Sequence, residues 1–284
     1  MGGLSKKATL IKELIDDPKQ PTLIVTGGNL LFTRGRLAPE DTEAAKITAE
    51  AVLLAHRKMG AGFAGIGTQD LQAGLPFLKQ YHTPPAFTWL SLNLLDPGSH
   101  TPLFAPVLHR RVGEINIAIL ALTDHAAFSQ ERKDVQVADW RTTLPQALAA
   151  LDNESDFVLL LSNYSLSENM EIARSHPAID LILQAGHALG NMTPTVVKNT
   201  LITQAEIRGK YLGVMEITWN GRGGWQAEGE QTVPPLHRGK KQATSFYTNR
   251  FIPLKQSLAS DLEIANLVRQ AQSRIEKRQP YQSR

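Results

Sequence analysis

The sequence predicts a layered α/β fold. Short apolar runs alternate with stretches of helical periodicity between residues 22 and 185, turn residues close most of those runs, and a β-rich patch follows at 195–220. Each strand or helix of this kind has an apolar face that must be covered, and the alternation covers it by stacking helices on sheets.

The elements follow in order. Met1–Lys7 leads into an amphipathic helix, with no export signal expected in that stretch. TLIVT (22–26) reads as a first buried strand. Pro39-Glu40-Asp41 opens a helix that runs to residue 59 through AAKITAEAVLLAHRK, since Pro at the start and acids in the first turn suit a helix N-terminus. GFAGIG (62–67), FTWLSLN (87–93), INIAILALT (115–123), DFVLLLS (156–162) and IDLILQA (179–185) read as further strands. Residues 68–80, 140–151 and 166–175 have helical spacing and fall between them. TVVKN (195–199), TLITQ (200–204) and YLGVMEITWN (211–220) form the β-rich patch, with turns at Asn199-Thr200 and Asn220-Gly221. Residues 221–258 show little periodicity, and Asp261 then opens a last amphipathic helix at 262–275.

Composition narrows the function classes. The chain has 284 residues and no cysteine, which excludes disulfides, thiolate nucleophiles and cysteine-based zinc sites. No run approaches the ~18 apolar residues of a membrane span. A net charge of +3 and a pI near 9.1 are mildly basic. The clusters His237-Arg238-Gly239-Lys240-Lys241 and Glu276-Lys277-Arg278 read as solvated loop and tail. The tryptophans at 89, 140, 219 and 225 are scattered and form no stacking series, so no nucleic-acid partner is expected.

The loops after the strands carry the functional signal. Five pieces stand in order: GGLSKKATLIKEL (2–14), TLIVTGGNLLF (22–32), GFAGIGTQDL (62–71), DFVLLLSNYSL (156–166) and IDLILQAGHALG (179–190). Together they resemble the calcineurin-like metallophosphoesterases, in the 5′-nucleotidase branch. TLITQAEIRGKYLGVMEITW resembles the last strands of that branch's catalytic domain, and FIPLKQSLASDLEIANLV resembles the segment that closes it. The resemblance covers residues 2–220 and 251–270. It implies an α/β/β/α sandwich of mixed sheets. Residues 1–222 would form the domain without its first strand, 223–284 would close it with a terminal helix, and the branch's C-terminal domain would have no room. It also implies an exported or periplasmic protein.

The family's metal-binding motifs are altered. Its Gly-Asp reads Gly28-Asn29, its Gly-Asn-His-Asp reads Gly67-Thr68-Gln69-Asp70, its lone histidine reads Asn163, and its Gly-His-x-His reads Gly186-His187-Ala188-Leu189. The first Asp-x-His would precede Gly2. Of the usual ligands only His187 stands in this chain. A two-metal site needs bridging carboxylate and imidazole. Amides at 29, 69 and 163 are weak, uncharged ligands, and Gln69 cannot serve as a general acid. No metal cofactor is therefore expected, where the family has two divalent ions.

Strand-end loops of α/β sheets converge on one site, so Asn29, Gln69, Asp70, Asn163 and His187 are expected around a common pocket. That pocket is either a relic closed by its own hydrogen bonds or a metal-free site for a small polar or anionic ligand, with Gly28, Gly67 and Gly186 allowing close backbone approach. The alternative is a phosphoric-ester hydrolase with a remodelled metal shell. Asp124-His125 and Asn93 also fall at strand ends, while Ser162 and Ser165 lack a nucleophile's glycine context. A missing first strand leaves a gap. Residues 223–258 or a second copy of the chain, as a homodimer, are the expected candidates to fill it.

Overall fold

A computed structural model describes residues 3–17, 19–32, 37–125, 132–151, 155–186, 190–206, 209–229 and 243–278. His187 and the basic run at 237–241 lie outside these residues. The elements are α1 (Leu4–Ile15), α2 (Thr42–Lys58), β1 (Phe63–Gly65), α3 (Leu75–Gln80), β2 (Thr88–Leu90), β3 (Leu94–Leu95), β4 (Val107–Val112), β5 (Ile115–Leu122) and β6 (Gln136–Val137). There follow α4 (Trp140–Ala149), β7 (Phe157–Ser162), α5 (Leu166–Ser175), β8 (Leu181–Gln184), β9 (Met192–Val197), β10 (Thr200–Gln204), β11 (Tyr211–Thr218), β12 (Gly223–Ala227), β13 (Ala243–Pro253) and α6 (Leu262–Glu276).

The principal sheet has the order β4-β5-β7-β8-β10-β9. Its four inner strands are parallel, and β4 and β9 flank them antiparallel. Alternation along β5 shows why it lies at the centre. Ala118, Leu120 and Leu122 meet Trp140, Leu144 and Ile172 of α4 and α5 on one face. Ile119 and Ala121 meet Phe63, Leu90, Phe157 and Leu161 on the other. Burial on both faces produces the near-continuous apolar runs seen in the sequence.

A second β layer covers that other face. It holds the β1-β2 pair and the sheet β11-β13-β12. Phe157 stacks edge-on against Trp219 and Trp225, whose ring centres lie 5.7 Å apart, and so ties the two layers. Outside the second layer lie α1, α2 and α6, joined through Ala8, Ile11, Ala55, Met59 and Ile264. The sequence of layers is helix, sheet, sheet, helix. Surface pairs such as Lys12–Asp261 (2.6 Å) and Arg274–Glu50 (2.7 Å) link the outer helices, each worth at most about 1 kcal/mol.

Several elements depart from expectation. TLIVT (22–26) joins no sheet among the described residues. The helix expected at 68–80 is a 3-10 turn, Thr68–Leu71, followed by α3. Gly74 at φ +88° separates the two, and Pro76 sits in the first turn of α3. The stretch 221–258 contains β12 and β13, and β4 is an additional edge strand.

Asp180, just before β8, is a buried tie between layers. Its Oδ2 accepts Val158 N at 2.7 Å and Arg222 Nε at 3.4 Å. Burial pushes its carboxyl up from 3.8 to about 6, against the pull of Val158 and Arg222. A folded pKa above the unfolded one means that protonation favours the fold. The contribution is complete below the unfolded value and is lost as pH rises through the folded one. Relative to Asp180→Asn, the wild type is expected to lose up to about 3 kcal/mol between about pH 4 and about pH 6.5. Urea melts across that range check this; a constant gap, or one of opposite slope, would contradict it.

Candidate functional site

The loops after the 22–26 stretch, β1, β7 and β8 meet at one end of the sandwich. Gly65 N donates to Thr26 O (3.1 Å), Asn163 N to Leu122 O (3.1 Å) and Ala185 N to Ser162 O (2.8 Å), so neighbouring chain ends are held level. Asn29, Gln69, Asp70 and Asn163 come together there, as the loop order predicts. Asn163 Nδ2 reaches Gly27 O (3.4 Å) and Ala185 O (3.3 Å).

Asn29 is the keystone. Its backbone is left-handed, at φ +51°, a region that Asn tolerates better than most residues. Its Oδ1 accepts Gln69 N at 3.0 Å. The side chain is wedged between two glycines. A Cβ on Gly67 would lie 2.0 Å from Asn29 Oδ1, and one on Gly186 would lie 2.2 Å from Asn29 Nδ2. The group that approaches these two glycines is the Asn29 side chain, in the place expected for a ligand's approach. Gln69 contributes its backbone N–H to this arrangement.

Asp70 organises the loops from behind. It is fully buried; Oδ2 accepts Asn29 N (2.8 Å) and Gly67 N (2.9 Å), and Oδ1 accepts Leu31 N (2.8 Å). Burial pushes its carboxyl up to about 6, while those N–H groups pull it down. Both oxygens are committed to backbone.

These residues do not fit a pair of divalent ions. The carboxylate is engaged, and the side chains at 29 and 163 are neutral amides. Among the described residues no group of three His, Cys, Asp or Glu side chains could hold a metal. One loose end stands out: Asn163 is 1% exposed, and among the described residues its Oδ1 has no hydrogen-bond partner.

The neighbouring strand ends carry a polar lining that the loop motifs did not reveal. Asn93 is structural: its Nδ2 donates to Thr123 O and Ala138 O, each at 2.8 Å, and its Oδ1 accepts Thr123 N at 2.8 Å. His125 Nδ1 meets the Tyr164 hydroxyl at 2.9 Å, and burial pushes that phenol's pKa upward. Behind them Ser162 Oγ donates to Asn169 Oδ1 (2.6 Å), Asn169 Nδ2 to Gln184 Oε1 (2.9 Å) and Gln184 Nε2 to Gln204 Oε1 (2.9 Å). The available signal was the polar residue ending each of β7, β8 and β10.

No protein-family model matches the chain. A 130-residue stretch, 44% of the chain, is 27% identical to the uncharacterized metallophosphoesterase YunD of Bacillus subtilis. In solved structures, 97% of the chain superposes on the Thermus thermophilus sulfate thiohydrolase SoxB (TM-score 0.74, 18% identity) and on a 5′-nucleotidase precursor from the same organism (TM-score 0.73, 18% identity). The calcineurin-like phosphoesterase YfkN of Bacillus subtilis superposes over the same share (TM-score 0.67, 16% identity). The chain spans 28% of YunD, 47% of the SoxB chain, 54% of the nucleotidase chain and 90% of the YfkN chain. At such identities the structural likeness is one of fold. In sequence the chain is similar to a metallophosphoesterase, and in fold it is similar to 5′-nucleotidases and calcineurin-like phosphoesterases.

Proposed function

We propose that this chain, a metallophosphoesterase-like domain of the 5′-nucleotidase branch, is a metal-free binding or interaction protein and no longer a two-metal hydrolase. The observation that carries this reading is Asn29, a neutral amide turned inward between Gly67 and Gly186 and bonded to Gln69 N. Two dications about 4 Å apart repel by roughly 17 kcal/mol even at an effective dielectric constant of about 20. Anionic ligands must offset that repulsion, and amides at 29 and 163 supply no charge. At the family's proton-donor position stands Gln69, an amide that cannot protonate a leaving group, and His125 nearby is bonded to the Tyr164 hydroxyl. A small polar or anionic ligand is the natural guest of the amide-lined end. The same family likeness supports a location outside the cytoplasm, which fractionation of native cells checks.

Purified protein is expected to carry well under one equivalent of Mn, Fe or Zn. Hydrolysis of p-nitrophenyl phosphate, AMP and UDP-sugars is expected at background. Saturable stabilisation by micromolar Mn²⁺ or Zn²⁺ would contradict the reading. So would turnover in the ~1–10³ s⁻¹ range of ordinary enzymes that vanishes in His187→Ala. A phosphoric-ester hydrolase with a shell completed by residues outside those described is the second reading. Asn163 Oδ1 favours it, as a buried acceptor that a bound ion or water would satisfy.

A further inference from the structure

The stretch Leu23–Gly27 is half-buried, yet among the described residues it belongs to no sheet. Thr26 O accepts Gly65 N, and Gly27 O accepts the Asn163 amide. The N–H groups of Leu23, Ile24, Val25, Thr26 and Gly27 donate to no described residue. Partly buried backbone normally finds partners, and a row of unpaired donors is a template for another strand.

Its side chains already alternate as in a sheet. Leu23 and Val25 pack on the inter-sheet core, and Ile24 packs on the α1–α2–α6 core. β11 shows the same division, with Met215 on the first cluster and Leu212 on the second. The two stretches therefore lie in one layer with the same faces covered, but they do not pair. Among the described residues β11 pairs only with β13, so alternate groups along its other edge point away from any ladder, and Ile217 of β11 is 37% exposed.

The helix layer adds a charge. Lys7 falls on the turn of α1 that carries Leu4, Ala8 and Ile11, the residues facing Ile24 and Leu212 across their shared cluster. Burial lowers its amine's pKa, and its charge helps to depress His56 on α2. Among the described residues no carboxylate pairs with it.

We propose that Leu23–Gly27 is a docking edge for an extended strand of a partner protein, apolar at alternate positions and carrying one carboxylate for Lys7. Successive N–H groups of such a stretch point to opposite edges; Thr26 O faces β1 through Gly65 N, so the partner strand would hydrogen-bond to the N–H groups of Leu23, Val25 and Gly27 on the other edge and use the apolar faces beside β11. This goes beyond the metal-free reading and is argued from a different part of the fold. It uses none of the amide-site side chains, so a metal found at that site would leave it standing.

The test is amide hydrogen exchange on the full chain with a synthetic peptide of about eight residues, alternating Val and Thr around a central Glu. The peptide is expected to slow exchange at Leu23, Val25 and Gly27 by about ten-fold or more, saturably, with the chain remaining monomeric. A copy N-methylated at alternate amides is expected to have no effect. Replacing Glu by Lys in the peptide is expected to weaken binding about ten-fold in the wild type and far less in Lys7→Met. Slow exchange before any peptide is added would mean that the chain covers its own edge. A dimer in light scattering would mean that a second copy does. Either result overturns the proposal, as does equal action of the N-methylated peptide or no effect of the parent one.

Discussion

Asp70→Ala is expected to lower the melting temperature by roughly 10 °C, because the N–H groups of Gly67, Asn29 and Leu31 lose their acceptor together. Each such donor, left unsatisfied in a buried place, costs about 1–3 kcal/mol, and loop relaxation returns part of that; a net loss of about 4 kcal/mol follows. Asp70→Asn keeps one oxygen and turns an amide NH₂ toward a donor, so it is expected to fall between wild type and Asp70→Ala. Thermal melts measure the ranking. Hydrogen exchange at residues 29, 31 and 67 localises it. A loss under about 1 kcal/mol for Asp70→Ala would mean that the loops are held by something else.

Gly67→Ala is expected to cost about 3 kcal/mol for a single methyl group. Its Cβ would lie 2.0 Å from Asn29 Oδ1 and 2.5 Å from Asn163 Oδ1, so the Asn29 wedge must leave and Gln69 N must give up its acceptor. A double-mutant cycle identifies the mechanism. Asn29→Gly accepts the left-handed backbone and removes the obstruction. The loss from Gly67→Ala is expected to shrink by at least about 1 kcal/mol in that background. Strict additivity would place the clash elsewhere.

Much of the fold was legible because its central strands are covered on both faces. β5, β7 and β8 appear in the sequence as unbroken apolar runs. β4 did not, since an edge strand needs cover on one side only and carries His109, Arg110 and Arg111. β13 was hidden for a related reason: Thr248, Asn249 and Arg250 lie on a partly solvated strand whose partners, β11 and β12, come from earlier in the chain. TLIVT reads as a strand on periodicity alone, but a strand also needs a neighbour, and neighbours are a tertiary fact. At the site, the order of the loops gave the convergence of Asn29, Gln69, Asp70 and Asn163. Spacing alone could not show that Asn29 turns inward, that Asn163 keeps an unanswered oxygen, or that His125 finds Tyr164. Each depends on backbone angles and on partners distant in the chain.

The tryptophans have a spectroscopic consequence. Trp89 lies in the core beside α2 and α3, Trp140 opens α4 on the inner side of the α4–α5 layer, and Trp219 and Trp225 share the seam between the two sheets. The chain thus carries an emitter in each of these regions, and the seam pair is close enough for its excited states to couple. Single-tryptophan variants would read the regions separately as denaturant rises. Coincident red shifts would show the sandwich opening as one cooperative unit, and an early shift at the seam would show its sheets parting before either helix layer is lost.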